Sequence, residues 1–154
     1  MLLSDDIFKT IIQSTPLVSF DLIITDDQGK ILLGERLNRP AKGTWFVPGG
    51  RVRKNERLDD AFIRLGKEEL GHVFIREHAS LLGVFEHFYD DNMYGENAST
   101  HYVVLAYAIS WLSADSEHFL PLLQHSRFRW WSFDVAIASD AVHANTKAYI
   151  PFLR

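Results

Sequence analysis

The spacing of apolar and polar positions changes several times along the chain, and each change predicts a new element. Apolar residues at helical spacing in 7–12, closed by Pro16, predict a short amphipathic helix. Residues 17–25 are rich in β-branched and apolar side chains and predict a buried strand. Across a polar turn at 26–29, residues 30–36 predict the returning strand of a hairpin.

The middle of the chain combines a short strand, a glycine pair and a charged helix. An apolar run at 45–47 predicts the strand, and Pro48-Gly49-Gly50 is expected to break it. From residue 57 to residue 70 the apolar period becomes helical, and Gly71 is a suitable C-terminal stop. The expected apolar face of this helix consists of Leu58, Ala61, Phe62, Leu65 and, less strictly, Leu70.

The C-terminal half contains further strands and short helices. We expect strands at 84–89, 102–110 and 128–131, loops at 90–100 and 115–127, and short helices at 133–138 and 145–152. Strands on both sides of a helix, followed by more helices, favour an α/β fold with a mixed β-sheet between helices.

The composition is that of an ordinary globular protein and indicates one domain over residues 1–154. A net charge of -4 argues against electrostatic binding of nucleic acid as the main activity. The absence of cysteine excludes disulfides, thiolate metal sites and a cysteine nucleophile. The N-terminus does not resemble a signal peptide and the apolar runs are too short to span a bilayer, so we expect a cytoplasmic protein without membrane partners.

The charged helix suits a metal ion and a diphosphate. Arg64 and Glu68 are four residues apart and share a face, and Glu69 lies one turn beyond Leu65. Carboxylate oxygens are preferred ligands of Mg²⁺ and Mn²⁺, and guanidinium groups such as that of Arg51 bind phosphates bidentately. A solvated, salt-bridged helix face would explain the two glutamates alone, but not the whole glycine–helix arrangement.

This stretch resembles the Nudix box, Gly-x5-Glu-x7-Arg-Glu-U-x-Glu-Glu-x-Gly-U, where U is a bulky aliphatic residue. The matching residues are Gly50, Glu56, Arg64, Glu68, Glu69 and Gly71. The resemblance implies an α/β/α sandwich that cleaves a nucleoside diphosphate linked to another group, by attack of metal-activated water on phosphorus. Leu65 replaces a metal-facing glutamate of the box, and Gly66 and His72 replace its two aliphatic positions. The missing carboxylate implies fewer bound cations, and therefore either a binding module or an enzyme whose chemistry has moved.

Stretches at 38–52, 83–92, 100–105 and 142–145 favour the second interpretation, because they resemble the GDP-mannose mannosyl hydrolase family. The resemblance extends from about residue 14 to about residue 149, and leucine after the box arginine is typical of that family. It implies hydrolysis of GDP-mannose, and of GDP-glucose, to GDP and free hexose by inverting attack of water on the anomeric carbon. It also implies one Mg²⁺ per site, with Mn²⁺ as a substitute, and a homodimer with the N-terminal region at its interface. The physical logic is consistent, because a diphosphate leaving group needs positive charge more than activated water at phosphorus.

The family resemblance assigns roles to individual residues. It implies that Mg²⁺ binds the Gly49 carbonyl, Glu69 and Gln124, and that His125, on a mobile loop, is the general base. Arg36, Arg51, Arg64 and Tyr102 would contact the diphosphate or assist its departure, and Asp21 and His87 would lie near the mannosyl group. Glu68 would contact the metal ligands without binding the metal itself, and Glu56 would form an ion pair with Arg64.

Simpler interpretations exist for several of these residues. Taken alone, Asp21 is a polar residue on a half-buried strand, His87 a core histidine, and His125 a solvated side chain. Two alternative functions also stay open: a conventional Nudix pyrophosphohydrolase that cleaves at phosphorus, and a non-catalytic nucleotide-sugar binding domain.

Overall fold

The computed structural model describes residues 2–111 and 125–154, with side chains from residue 128 onward in the second range. The helices are α1 (Asp5–Ser14), α2 (Leu58–Leu70), α3 (Phe133–Ala138) and α4 (Ala144–Lys147), with 3-10 turns at Arg76–His78 and Ile150–Phe152. The strands are β1 (Leu17–Thr25), β2 (Lys30–Arg36), β3 (Trp45–Phe46), β4 (Gly49–Arg51), β5 (Ser80–Tyr89), β6 (Thr100–Ser110) and β7 (His125–Ser132).

Within these residues the strands form one seven-stranded sheet in the order β3-β2-β1-β6-β5, with β4 paired to β1 and β7 paired to β2. The β1–β6 pair is parallel and the other strand pairs are antiparallel, so the sheet is mixed. Near Thr25, β1 pairs with β2, whereas around Phe20 it pairs with β4. The glycine pair is therefore held against the centre of the sheet.

Helices cover both faces of the sheet. Phe20 and Leu22 of β1 and the apolar face of α2 belong to one buried cluster. Ile23 of β1 joins Ala136 of α3 and Tyr149 in a second cluster on the opposite face. This alternation follows from the two-residue period of a strand. The predicted α/β/α sandwich is thereby confirmed. None of the described helices is long and apolar enough to cross a membrane.

Most predicted elements are confirmed, including β1 and β2 with the predicted bounds. Two bounds differ. Gly49 and Gly50 were expected to end the preceding strand. They form β4 instead, because pairing with β1 outweighs the low strand preference of glycine. The single helix expected at 145–152 is α4 followed by a 3-10 turn that begins at Ile150, because Pro151 lacks the N–H that a continuing helix needs.

The position of His125 is the correction that matters for function. We expected it on a loop, but its backbone begins β7 and lies across from Arg36 of β2. The ladder between β2 and β7 extends that far because β2 continues to Arg36, with an irregularity after Gly34. Gln124, the predicted metal ligand before it, lies outside the described residues.

Candidate active site

A cavity of about 350 Å³ opens between α1, β1, β4 and the adjoining ends of β5 and β6. It brings together Asp21, Arg36, Gly49, Arg51, His87 and Tyr102, which come from five different strands. The sequence interpretation assigned all of them to one site, and the fold places them around one space. Residues that it did not assign also line the cavity: Phe8, Ile12, Asn38, Arg39, Pro40, Phe46, Tyr89 and Met93 are among them.

Asp21 reaches the cavity because its neighbours on β1 point to the other face of the sheet. It lies opposite Gly49 in the β1–β4 ladder. A Cβ atom placed on Gly49 would be 3.0 Å from Asp21 Oδ1 and 2.2 Å from the Phe20 carbonyl oxygen. Glycine at position 49 is therefore required for the close approach of β4 to this carboxylate.

Asp21 belongs to a buried polar cluster with Tyr149 and His87. The Tyr149 hydroxyl donates to Asp21 Oδ2 at 2.5 Å and lies 3.3 Å from His87 Nε2. Burial raises the pKa of Asp21 to about 6, although the Tyr149 hydrogen bond and Arg36 oppose the rise. Burial lowers the pKa of His87 to about 4, with a smaller contribution from His143. At neutral pH the cavity wall therefore combines a carboxylate with a neutral imidazole.

Sequence reasoning missed Tyr149, which it treated as part of a short terminal helix. One signal was available: a tyrosine in an apolar segment needs a partner for its hydroxyl when it is buried. Tyr149 is fully buried, and its partner Asp21 is 128 residues away along the chain. No local pattern could have identified that partner.

Positive charge and a phenol occupy another part of the cavity wall. Arg36 is steadied by hydrogen bonds to the carbonyls of Asn38 at 3.3 Å and Arg39 at 3.5 Å. The Arg51 guanidinium carbon lies 4.8 Å from the centre of the Phe8 ring. Burial lowers the pKa of Arg51, and the nearby charge of Arg53 lowers it further. Burial raises the pKa of Tyr102, so its hydroxyl stays protonated at neutral pH and can donate a hydrogen bond. This part of the wall is suited to an anion.

Arg64 has other partners in the structure. Its guanidinium donates to both carboxylate oxygens of Glu56 at 2.7 and 2.9 Å, to Glu68 at 2.9 Å and to the Arg51 carbonyl at 2.8 Å. These bonds tie α2 to the segment that follows β4, and they include the expected Glu56–Arg64 pair. Arg64 does not line the cavity, so its predicted contact with a diphosphate stays a prediction.

Leu65 is a core residue. Its side chain is 2% exposed and belongs to the α2-side apolar cluster. A Cβ atom placed on Gly50 would be 2.4 Å from Leu65 Cδ2, so leucine fills the space beside the second glycine of β4. The position that carries a carboxylate in the Nudix box is here packed and apolar.

The described residues fit an Mg²⁺ site of the predicted kind. Glu69 is 2% exposed and follows Leu65 by one turn, which puts it on the face of α2 that packs against β4. Leu22 N–H donates to the Pro48 carbonyl and Val52 N–H to the Val18 carbonyl, so the Gly49 carbonyl between them points away from β1. A carboxylate and a backbone carbonyl are hard oxygen donors of the type Mg²⁺ prefers. Among the described residues there is no group of three or more histidine, aspartate or glutamate side chains that could hold a metal ion.

The chain has a mixed sheet between helices, and the glycine pair of β4 leads into α2 with its arginine and glutamates. Together with the arginine-lined cavity, these features define a Nudix-type domain. The NUDIX domain matches residues 15–153, and the chain belongs to that family. It is accordingly a hydrolase of a family whose enzymes generally use a divalent cation such as Mg²⁺.

Individual relatives narrow the comparison. The chain is 44% identical over 125 residues to the low-salt glycan biosynthesis protein Agl8 of Haloferax volcanii. The aligned region covers 81% of this chain and 76% of that protein. Among solved structures, the MutT NUDIX hydrolase from Burkholderia pseudomallei has a TM-score of 0.71 at 26% identity, covering 92% of this chain and 100% of that one. The MutT protein from Methanosarcina mazei Go1 has a TM-score of 0.70 at 19% identity, covering 91% and 94%, and supports the fold alone.

Proposed function

We propose that this protein hydrolyses GDP-mannose, and also GDP-glucose, to GDP and the free hexose, with water attacking the anomeric carbon with inversion. The observation that carries the proposal is Leu65, which is packed on Gly50 at the position where the Nudix box has a metal-facing glutamate. With one carboxylate fewer, the site is less suited to a multi-metal attack on phosphorus. The similarity to a protein named for glycan biosynthesis supports a sugar-containing substrate.

Attack at carbon makes the diphosphate a leaving group, and negative charge then develops on its oxygen. Arg36 and Arg51 line the cavity as cations, and Tyr102 offers a phenolic donor. The Gly49 carbonyl, Glu69 and Gln124 would hold an Mg²⁺ ion, and the ion would supply further positive charge at the diphosphate. These groups stabilise the leaving group without having to activate water at phosphorus.

The sugar would then lie against the other part of the cavity wall, beside Asp21 and His87. A buried carboxylate and a neutral imidazole can both accept hydrogen bonds from hydroxyl groups. The Tyr149 hydroxyl contacts both side chains and so helps to fix their positions. The same wall holds negative charge near a ring that becomes positive in the transition state.

His125 is the proposed general base. Its backbone lies across from Arg36, a cavity residue, at the first position of β7. Histidine is the side chain that most often acts as a general base. We also propose that the protein acts as a homodimer, which rests on the family resemblance alone, and that it is located in the cytoplasm, as the sequence interpretation expected.

Product analysis tests the proposed function. Incubation with GDP-mannose and Mg²⁺ should give GDP and mannose. GMP with mannose 1-phosphate would instead indicate cleavage at phosphorus, and binding without turnover under Mg²⁺ or Mn²⁺ would indicate a binding domain.

A histidine pair tests the assignment of the base. His125→Gln should lower kcat by about 100-fold or more, the size of a general-base contribution, while GDP binding is kept. The matched control is His78→Gln, which removes an exposed histidine in the 3-10 turn at Arg76–His78. If His125→Gln turned over as fast as this control, His125 would not be the base.

A further inference from the structure

Tyr149 influences the site without lining it. It follows α4, is fully buried, and packs edge-on against Phe85 with 4.9 Å between ring centres. Its hydroxyl contacts Asp21 and His87, and both of these residues line the cavity, whereas Tyr149 does not. Any effect of Tyr149 on a ligand must therefore act through these two side chains.

The hydroxyl has one hydrogen and two neighbours, and the hydrogen can be located by elimination. At 2.5 Å the Tyr149 hydroxyl donates its hydrogen to Asp21 Oδ2. The phenol oxygen can then only accept from His87 Nε2 at 3.3 Å, and this nitrogen must carry hydrogen. A neutral imidazole has one N–H, so Nδ1 holds a lone pair. Burial supports both assignments, because it lowers the pKa of His87 to about 4 and raises that of Tyr149.

We propose that Tyr149 is a positioning residue that fixes His87 in its Nε2–H tautomer, so that Asp21 Oδ1 and His87 Nδ1 face the substrate as a pair of hydrogen-bond acceptors. The described part of the chain provides neither of these two atoms with a hydrogen bond, and both side chains line the cavity. Two fixed acceptors select a ligand with two hydroxyl donors, as the hexose of a nucleotide sugar has. This inference rests on the proposed function for the identity of the ligand, but the tautomer does not depend on it.

The tautomer can be measured directly by NMR. Long-range ¹H–¹⁵N correlation on ¹⁵N-histidine-labelled protein at pH 7.5 distinguishes Nε2–H from Nδ1–H rings, and signals missing in His87→Gln identify His87. The wild type should show His87 as Nε2–H, and Tyr149→Phe should lose this single tautomer. The matched control is Tyr107→Phe, which removes another buried hydroxyl, one that contacts Arg76, in the opposite core cluster. An Nδ1–H ring in the wild type overturns the proposal, even if Tyr149→Phe fails to fold.

Kinetics test the link to substrate. Tyr149→Phe should lower kcat/KM for GDP-mannose about tenfold or more while the Kd for GDP stays unchanged, because GDP lacks the hexose. Tyr107→Phe should keep both constants. Equal losses of GDP and GDP-mannose binding, or unchanged kcat/KM, would contradict a positioning role toward the sugar. Failure of the proposed function is a separate result, visible as GMP among the wild-type products.

Discussion

The two glycines of β4 face regions of opposite character. Gly50 packs against Leu65 in a buried apolar cluster, whereas Gly49 lies against Asp21 in a buried polar cluster with Tyr149 and His87. Successive residues of a strand point to opposite faces, so one dipeptide serves both regions. The Nudix box has a metal-facing carboxylate on the side that is apolar here. At this position the chain therefore departs from the Nudix box: Leu65 packs against Gly50 on one side of β4, and the hydrogen-bonded polar groups lie beside Gly49 on the other.

The largest expected effect comes from restoring the box residue. Leu65→Glu should lower the free energy of unfolding by about 4 kcal/mol, because it puts a carboxylate into the space between α2 and Gly50. Urea unfolding measures the change, and Leu65→Met, of similar volume, should cost less than about 1.5 kcal/mol. A Leu65→Glu protein as stable as the wild type would show that the space at position 65 accepts a charge, contrary to this comparison.

The glycine pair provides the next largest effect. Gly49→Ala should cost about 3 kcal/mol, because its Cβ would meet the rigid Phe20 carbonyl at 2.2 Å. Gly50→Ala should cost about 1 kcal/mol, because its Cβ meets the end of the adaptable Leu65 side chain, and Leu65→Val should relieve that contact. The same unfolding assay compares the variants. If Gly50→Ala were the more damaging of the two, the assignment of rigid and adaptable sides would be wrong.

The last prediction concerns the dependence of stability on pH. The folded pKa of His87, about 4, lies below the usual value of about 6.5. Between these values the unfolded chain binds a proton at this position that the folded protein does not, so His87 makes the protein more stable as the pH rises and less stable as it falls. His87→Gln should reduce the slope of unfolding free energy against pH in this window by at most about 1.4 kcal/mol per pH unit.

Asp21, with its raised pKa, contributes a slope of the opposite sign, but it is present in both proteins and cancels in the comparison. His78→Gln, at an exposed histidine, serves as the control and should leave the profile unchanged. Parallel profiles for wild type and His87→Gln would mean that the imidazole is not held neutral.

The sequence predicted those parts of the fold whose signals are local. The bounds of β1 and β2, the helical period of α2 and the grouping of Asp21, Arg36, Arg51, His87 and Tyr102 into one site came from spacing and family resemblance. It missed features that depend on distant pairing. β4 is a strand only because β1 lies beside it, and β7 begins at His125 because β2 continues to Arg36.

The polar cluster shows the same limit at the level of one side chain. Tyr149 contacts a residue near the opposite end of the chain, and nothing in its local sequence identifies that residue. The meaning of Leu65 also changed. From sequence it was a missing carboxylate, and the structure adds that Gly50 leaves room for leucine and that the apolar cluster encloses it.

The bond that water breaks is the central claim, and oxygen labelling tests it most directly. With GDP-mannose in H₂¹⁸O, mass spectrometry of early products should find the label in mannose and unlabelled GDP, because attack at the anomeric carbon puts the water oxygen on the sugar. Label in a phosphate group would place the attack at phosphorus and contradict the account.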